Sequence, residues 1–314
     1  MTPDEEVLAF EALVVRAVMG ATVEALDNLI TFVLLALNIT APPNPVQAAQ
    51  IGHTVARRIR ETSIPPVNRT LARKAMDARD LGTIRAVQAL PAGPLRDLAT
   101  TANWRADTQP SVPNADRAIR EGLEAAAVIA STGLRNRTEA ASVAGKLKAT
   151  KARAQGIARY VAHEGINAGI AEVARTIGHR LLWVAERNAC LHCLAHAGYA
   201  VEPGSQFPGV SFDPASAKVR PVPHPPLHPN CRCEVRTFAG PAGPPPTDRS
   251  STSPAARLAA EARRSVVYQW TDYASGSAQE RAARTLLNAG AGLPSSVEKR
   301  ARIMLKQGGK RNGR

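Results

Sequence analysis

All four cysteines of this 314-residue chain fall between positions 190 and 233. They stand as Cys190-Leu-His-Cys193 and then, across 34 intervening residues, as His228-Pro-Asn-Cys231-Arg-Cys233. The stretch from Pro203 to Pro229 carries eight prolines and two glycines, so it reads as loop without a core of its own and has to be held by a cross-link. Thiols in a reducing compartment favour metal over disulfides, and clustered Cys and His are the ligands a tetrahedral zinc ion takes. Five residues compete for four places. Cys190 and Cys193 supply two thiolates from one tight knuckle. His228 and Cys231 follow, with Pro229 stiffening the chain between them. Cys233 either replaces one of these two or packs beside the site. His192, His196 and His224 are weaker candidates and read as solvent histidines, or as histidines that support the site, rather than as ligands. With four protein ligands no position is left for water, so the zinc is expected to be structural.

Around this region the chain reads as helical. Aromatic residues make up only 4% of it, so the core has to be built from Ala, Leu, Val and Ile, which suits close helix packing. Apolar residues recur at threes and fours over 4–38, with Gly20 as a point of bending, and the prolines of 41–45 end that segment. Residues 46–61 and 67–89 form two further amphipathic stretches, separated by Ser63-Ile64-Pro65-Pro66. Residues 91–114 carry four prolines and no period and read as loop-rich. A long helical region covers 116–177, divided at Gly133 and Gly145. Leu181-Leu182-Trp183-Val184 and Cys233-Glu234-Val235-Arg236-Thr237-Phe238 read as two short strands of a metal-clamped hairpin. GPAGPPPTD at 240–248 is a linker. Three helices are expected in 249–314: one opening at Ser253-Pro254, one capped by Ser277 with Glu280, and one capped by Ser295 with Glu298. The expected fold is thus mainly α, with a small zinc-clamped β unit and a basic helical tail. The expected regions are 1–115, 116–239, 240–248 and 249–314.

The formal net charge of +14 is unevenly spread. Residues 1–40 hold six acids against one base, whereas 240–314 hold thirteen bases against five acids. A surface of this kind suits a polyanion, double-stranded DNA bound without regard to sequence being the natural case. The N-terminus lacks the basic stretch of a secretory signal, and the longest apolar run, Leu29–Ile39, is broken by Thr31 and Asn38. Taken as an uninterrupted run it is too short to span a bilayer, so no membrane partner is expected.

The residues of the cysteine region also carry a resemblance. Trp183, the Cys190-x-x-Cys193 pair, the proline-rich loop and the His228–Cys233 cluster resemble the signature of the phage Mu F-like minor head proteins. Ile157-Ala-Arg159, followed by Asn167-Ala-Gly169, is similar to that family's helix before the tryptophan strand. The resemblance spans roughly residues 146–238. It implies a head-morphogenesis protein of a tailed bacteriophage or prophage, present in few copies inside the capsid. Such a protein is made in the host cytoplasm and associates with the portal, scaffold and capsid proteins, with packaged DNA as its neighbour. The alternative from another class is a zinc-stabilised nucleic-acid-binding protein with no capsid role.

Enzymatic readings find less support. His163-Glu164-Gly-Ile-Asn167 opens like a zinc-protease helix, but Asn167 stands where a second histidine would be needed. The cysteine–histidine cluster also fits a zinc-supported HNH-type nuclease. That chemistry needs a histidine base beside a carboxylate, and near His224 and His228 the sequence offers only Asp213. The chain is accordingly expected not to be an enzyme.

Overall fold

A computed structural model describes residues 3–36, 43–102, 110–185, 189, 193, 196–211, 221–228, 231–243, 267–268 and 302. Its helices are α1 (Pro3–Leu35), α2 (Pro45–Glu61), α3 (Asn68–Ala89), α4 (Pro94–Thr101), α5 (Ala115–Ser131) and α6 (Arg137–Thr176). The strands are β1 (Arg180–Val184), β2 (Ala200–Val201), β3 (Val210–Ser211), β4 (Glu234–Phe238) and β5 (Val267–Tyr268). The chain is mainly helical with a small antiparallel sheet. It divides into two compact units, one made of residues 1–76 with 110–162 and the other of 77–109 with 163–314. Neither is continuous in sequence, because α3 and α6 each contribute to both.

The first unit is a helical bundle with a core of small aliphatic side chains. Leu26, Leu29, Ile30 and Val33 of α1 pack with Val55 and Ile59 of α2, alanines of α5, and Val143 and Leu147 of α6. Further along, Val14, Val18 and Met19 of α1 meet Leu71 of α3, Ile119 of α5, and Ile157 and Val161 of α6. Glycine permits the closest approaches. A Cβ on Gly52 of α2 would run into the carbonyl of Ala130 on α5, and one on Gly122 would run into the Thr150 side chain. Local capping sets the helix starts. Asn44 and Gln47 form a reciprocal capping box on α2, with N···O distances of 2.9 and 3.1 Å. Asn114 accepts from Arg117 N at 2.9 Å at the start of α5.

Three sequence expectations need correction here. Gly20 does not split α1, and Gly145 does not divide α6; a Cβ at either would meet nothing within 4 Å, and each helix runs on through the glycine. Gly133, at φ +99°, does end α5, since few other residues take that backbone conformation. Residues 91–114 are not all loop. Pro94 starts α4 behind Gly93, with Asp97 in the first turn. Third, α1 is long and apolar enough to cross a membrane by length and composition, with a mean hydropathy of 1.6 over an 18-residue window. Counting an uninterrupted run missed this because a helix-length average tolerates Thr31 and Asn28. One face of α1 forms part of both cores, and its buried Glu11 pairs with Arg159 at 3.3 Å.

In the second unit α3 and α6 touch backbone to backbone. A Cβ on Gly82 would meet the Ile166 carbonyl, and one on Gly169 the Arg79 carbonyl. The sheet has strand order β2-β1-β4, with all neighbours antiparallel. The two strands read as a hairpin do pair, from Arg180↔Phe238 to Val184↔Glu234. They are not a simple hairpin, however, because β2 pairs with the other edge of β1 and makes it the central strand. Leu181 and Trp183 alternate into the interior, as the twofold period of a strand requires. Of the 249–314 region, Val267–Tyr268 pairs antiparallel with Val210–Ser211, and Arg302 is helical. The three helices expected there, with their caps, otherwise lie outside the described residues, as does most of the 240–248 linker.

Candidate metal centre

The strand pairing decides where the cysteines meet. Because Val184 faces Glu234, the chain leaving β1 and the chain entering β4 lie at the same end of the sheet. Cys193 follows the first and Cys231 precedes the second. A tight turn, in which Cys231 N donates to His228 O at 3.0 Å, folds His228 back beside Cys231. The donor atoms of Cys193, His228 and Cys231 all lie within 4.8 Å of one another. Cys193 Sγ is 3.5 Å from Cys231 Sγ and 3.6 Å from His228 Nε2. A tetrahedral ion with bonds of about 2.3 Å to sulfur and 2.0–2.1 Å to nitrogen separates its ligand atoms by about 3.6–3.8 Å. Both distances from Cys193 match that spacing, and the three side chains together could hold a metal ion.

The electrostatics favour the same use. Hydrogen bonds from the Cys193 and Cys233 thiols outweigh burial and pull the Cys231 thiol down to about 3. A thiol held in this way is ready to serve as a thiolate ligand. Cys193, Cys231 and Cys233 are all buried and free of disulfides. Cys233 lies against Cys231 but outside the group of three. Cys190 and His192 lie outside the described residues, so the ligand set read from the sequence is assembled here in three of its five members.

Two features support the centre that the sequence did not reveal. The first is Asn167. Its side chain is buried on α6, donates to Cys233 O at 3.2 Å and to His163 O at 2.8 Å, and accepts from Val235 N at 2.8 Å. Donating to residue 233 and accepting from residue 235 is what a neighbouring strand would do. One amide thus satisfies the outer edge of β4 at the point where the cysteines enter it. Where a zinc protease would need a histidine, this chain has a strand clamp. Arg85 of α3 adds an ion pair to Glu234 at 3.3 Å, with both side chains mostly buried.

The second feature is an aromatic cluster, so the expectation that this loop has no core is wrong. Trp183 stacks on His196 at a centroid distance of 4.7 Å and meets Phe207 edge-on at 5.0 Å. His196 is fully buried, its Nε2–H donates to Pro208 O at 2.8 Å, and it is not among the three grouped side chains. Phe207 exchanges backbone hydrogen bonds with Val222, closing the proline-rich loop over the cluster. Aromatic side chains scattered from 183 to 207 carry no periodic signal that would announce them as a core.

His224 is likewise not a solvent histidine. It is buried, its Nδ1 donates to Pro225 O at 2.8 Å, and the same atom lies 3.8 Å from Glu164 Oε2. Asp213 is outside the described residues, and the carboxylate that reaches His224 is Glu164, sixty positions upstream on α6. A histidine–carboxylate pair is therefore present, contrary to the sequence expectation. Both side chains are buried.

The fold and centre define a mainly helical protein with a three-stranded antiparallel sheet and a Cys–His–Cys group able to hold a metal ion. No protein-family model, curated protein or solved structure matches the chain.

Proposed function

We propose that this chain is a minor head-morphogenesis protein of a tailed bacteriophage or prophage, and that one structural zinc ion holds its second unit together. Cys193, His228 and Cys231 are the ligands, with Cys190 or Cys233 as the fourth. The observation that carries this reading is the convergence of Cys193 with His228 and Cys231 at one end of the β1–β4 pair, in a chain whose Trp183 and His228–Cys233 cluster resemble the Mu F-like signature. A closed four-ligand site serves as a staple, not as a catalyst. The role is therefore mechanical. The protein works inside the head, next to the portal, scaffold and capsid proteins and the packaged DNA.

Metal analysis of the purified protein tests the zinc. One ion per chain is expected, lost in Cys193→Ser; a metal-free protein of unchanged stability refutes it. The capsid role is tested by co-expression with the portal and major capsid proteins of its own locus, where the chain is expected in assembled heads in few copies. The zinc-stabilised nucleic-acid-binding alternative is favoured by the exposed bases of α6, and it gains if the chain binds DNA yet stays out of heads.

A further inference from the structure

We infer that the exposed face of α6 over residues 137–153 seats in the major groove of duplex DNA, gripping the phosphates of both strands with two rows of bases. The inference rests on the reading of DNA as the protein's neighbour and assigns that contact to particular residues.

The structure sorts the bases of α6 into two sets. Lys151 is tied to Asp27 at 2.6 Å and Arg159 to Glu11 at 3.3 Å; just before the helix, Arg135 is tied to Glu139 of its first turn at 2.8 Å. Arg153 shares Glu121 at the long distance of 3.9 Å. Arg137, Lys146 and Lys148 are exposed, and no acidic partner is found for them among the described residues. At 3.6 residues per turn, Arg137 and Lys148 fall along one edge of the exposed face and Lys146 and Arg153 along the other. Between the rows the exposed positions are Thr138, Ala141, Ser142, Gly145, Ala149 and Ala152. No acid stands on this face, since Glu139 is half-buried and bound to Arg135.

The glycine is informative. Gly52 and Gly122 of the same unit are required by neighbouring helices, whereas a Cβ on Gly145 would meet nothing within 4 Å. Glycine inside a helix costs up to about 1 kcal/mol relative to alanine, and no packing within the unit requires it here. A low floor flanked by two basic rows is the shape that lets a helix settle into a groove of about 12 Å with its edges at the phosphates. Side chains as short as these read few base edges, so binding is insensitive to sequence. The positive end of the helix dipole, beside Arg137, adds to the attraction.

The test is binding of the full chain to fluorescently labelled 20-base-pair duplexes of unrelated sequence, followed as a function of salt. Replacing Arg137, Lys146 and Lys148 together by glutamine should reduce the slope of log K against log salt by about 2–3 and weaken binding at least about tenfold near 0.1 M salt, equally for all duplexes. Lys151→Gln, whose charge is already committed to Asp27, should change the slope by well under 1. Gly145→Leu should weaken binding with every base still in place. Helix content by circular dichroism controls for folding. A triple variant that stays folded and keeps the wild-type slope overturns the inference, as does a Lys151→Gln loss equal to that of the triple variant. Unaltered binding by Gly145→Leu overturns the seating in the groove. A wild-type chain that binds no duplex at all overturns the reading of DNA as neighbour as well.

Discussion

Replacing Asn167 with leucine keeps the volume of the side chain and deletes its chemistry. Three hydrogen bonds disappear: those to His163 O and Cys233 O, and the one from Val235 N. His163 O lies within a helix and keeps its place in that ladder, so its loss is minor. The Val235 N–H and the Cys233 C=O lie on the outer edge of β4, buried under α6 and out of reach of water. Each buried backbone group left unsatisfied costs about 1–3 kcal/mol, which puts the penalty near 2–6 kcal/mol. That is a large share of the roughly 5–15 kcal/mol by which a domain is stable. The effect should be confined to the second unit, because Asn167 and all its partners lie there. Urea unfolding followed by Trp183 fluorescence should show the loss. Faster reaction of the buried thiols with an aromatic disulfide reagent should accompany it, since Cys233 is released from its anchor. Asn167→Asp sharpens the reasoning. A carboxylate can still accept from Val235 N, but it sets a second oxygen against two carbonyls. Its folded pKa is therefore raised above the ordinary value near 3.9, so the penalty of this variant relative to the wild type should be smallest below about pH 4 and grow as the pH rises through the folded value. A penalty below about 1 kcal/mol for Asn167→Leu, or an Asp variant indifferent to pH, refutes the strand-clamp reasoning.

Three further outcomes follow from the packing and the charges. Val33 is fully buried in the α1 core while its neighbour Leu34 is 46% exposed, so Val33→Asp should cost more than about 4 kcal/mol or abolish soluble folding, and Leu34→Asp should stay within about 1 kcal/mol, both measured by thermal unfolding. Gly52→Ala should destabilise the first unit by about 1–3 kcal/mol, because its methyl meets the Ala130 carbonyl, whereas Gly20→Ala, in open space on α1, should stabilise it by up to about 1 kcal/mol. Burial holds the His224 imidazole below its ordinary range, with the hydrogen bond to Pro225 opposing. Its contribution to stability is thus present above about pH 6.5 and lost as the pH falls through the folded pKa, and urea midpoints between pH 8 and 5.5 should fall less steeply in His224→Gln than in the wild type.

The sequence by itself determined the parts of this protein that depend on near neighbours in the chain. The stretches 46–61 and 67–89 appear as α2 and α3 within a residue of their expected bounds, because a helix is built from contacts three and four positions apart and from caps such as Asn44 with Gln47. The strand runs ending at Val184 and Phe238 were legible for a similar reason, being apolar or alternating segments set between turns. The grouping of Cys193, His228 and Cys231 was legible too, since few arrangements other than a shared metal bring such residues into one short region. Glycine was ambiguous. The same residue ends a helix at Gly133, where φ is +99°, and is carried through at Gly20 and Gly145, and only the neighbouring packing separates these cases. Tertiary structure alone decided the order β2-β1-β4, the Asn167 clamp, the aromatic cluster under the proline-rich loop and the approach of Glu164 to His224. Most of these join residues tens of positions apart through single side chains of common type. A lone asparagine or glutamate has no spacing to betray its partner, which is set by how α6 lies against the sheet in three dimensions.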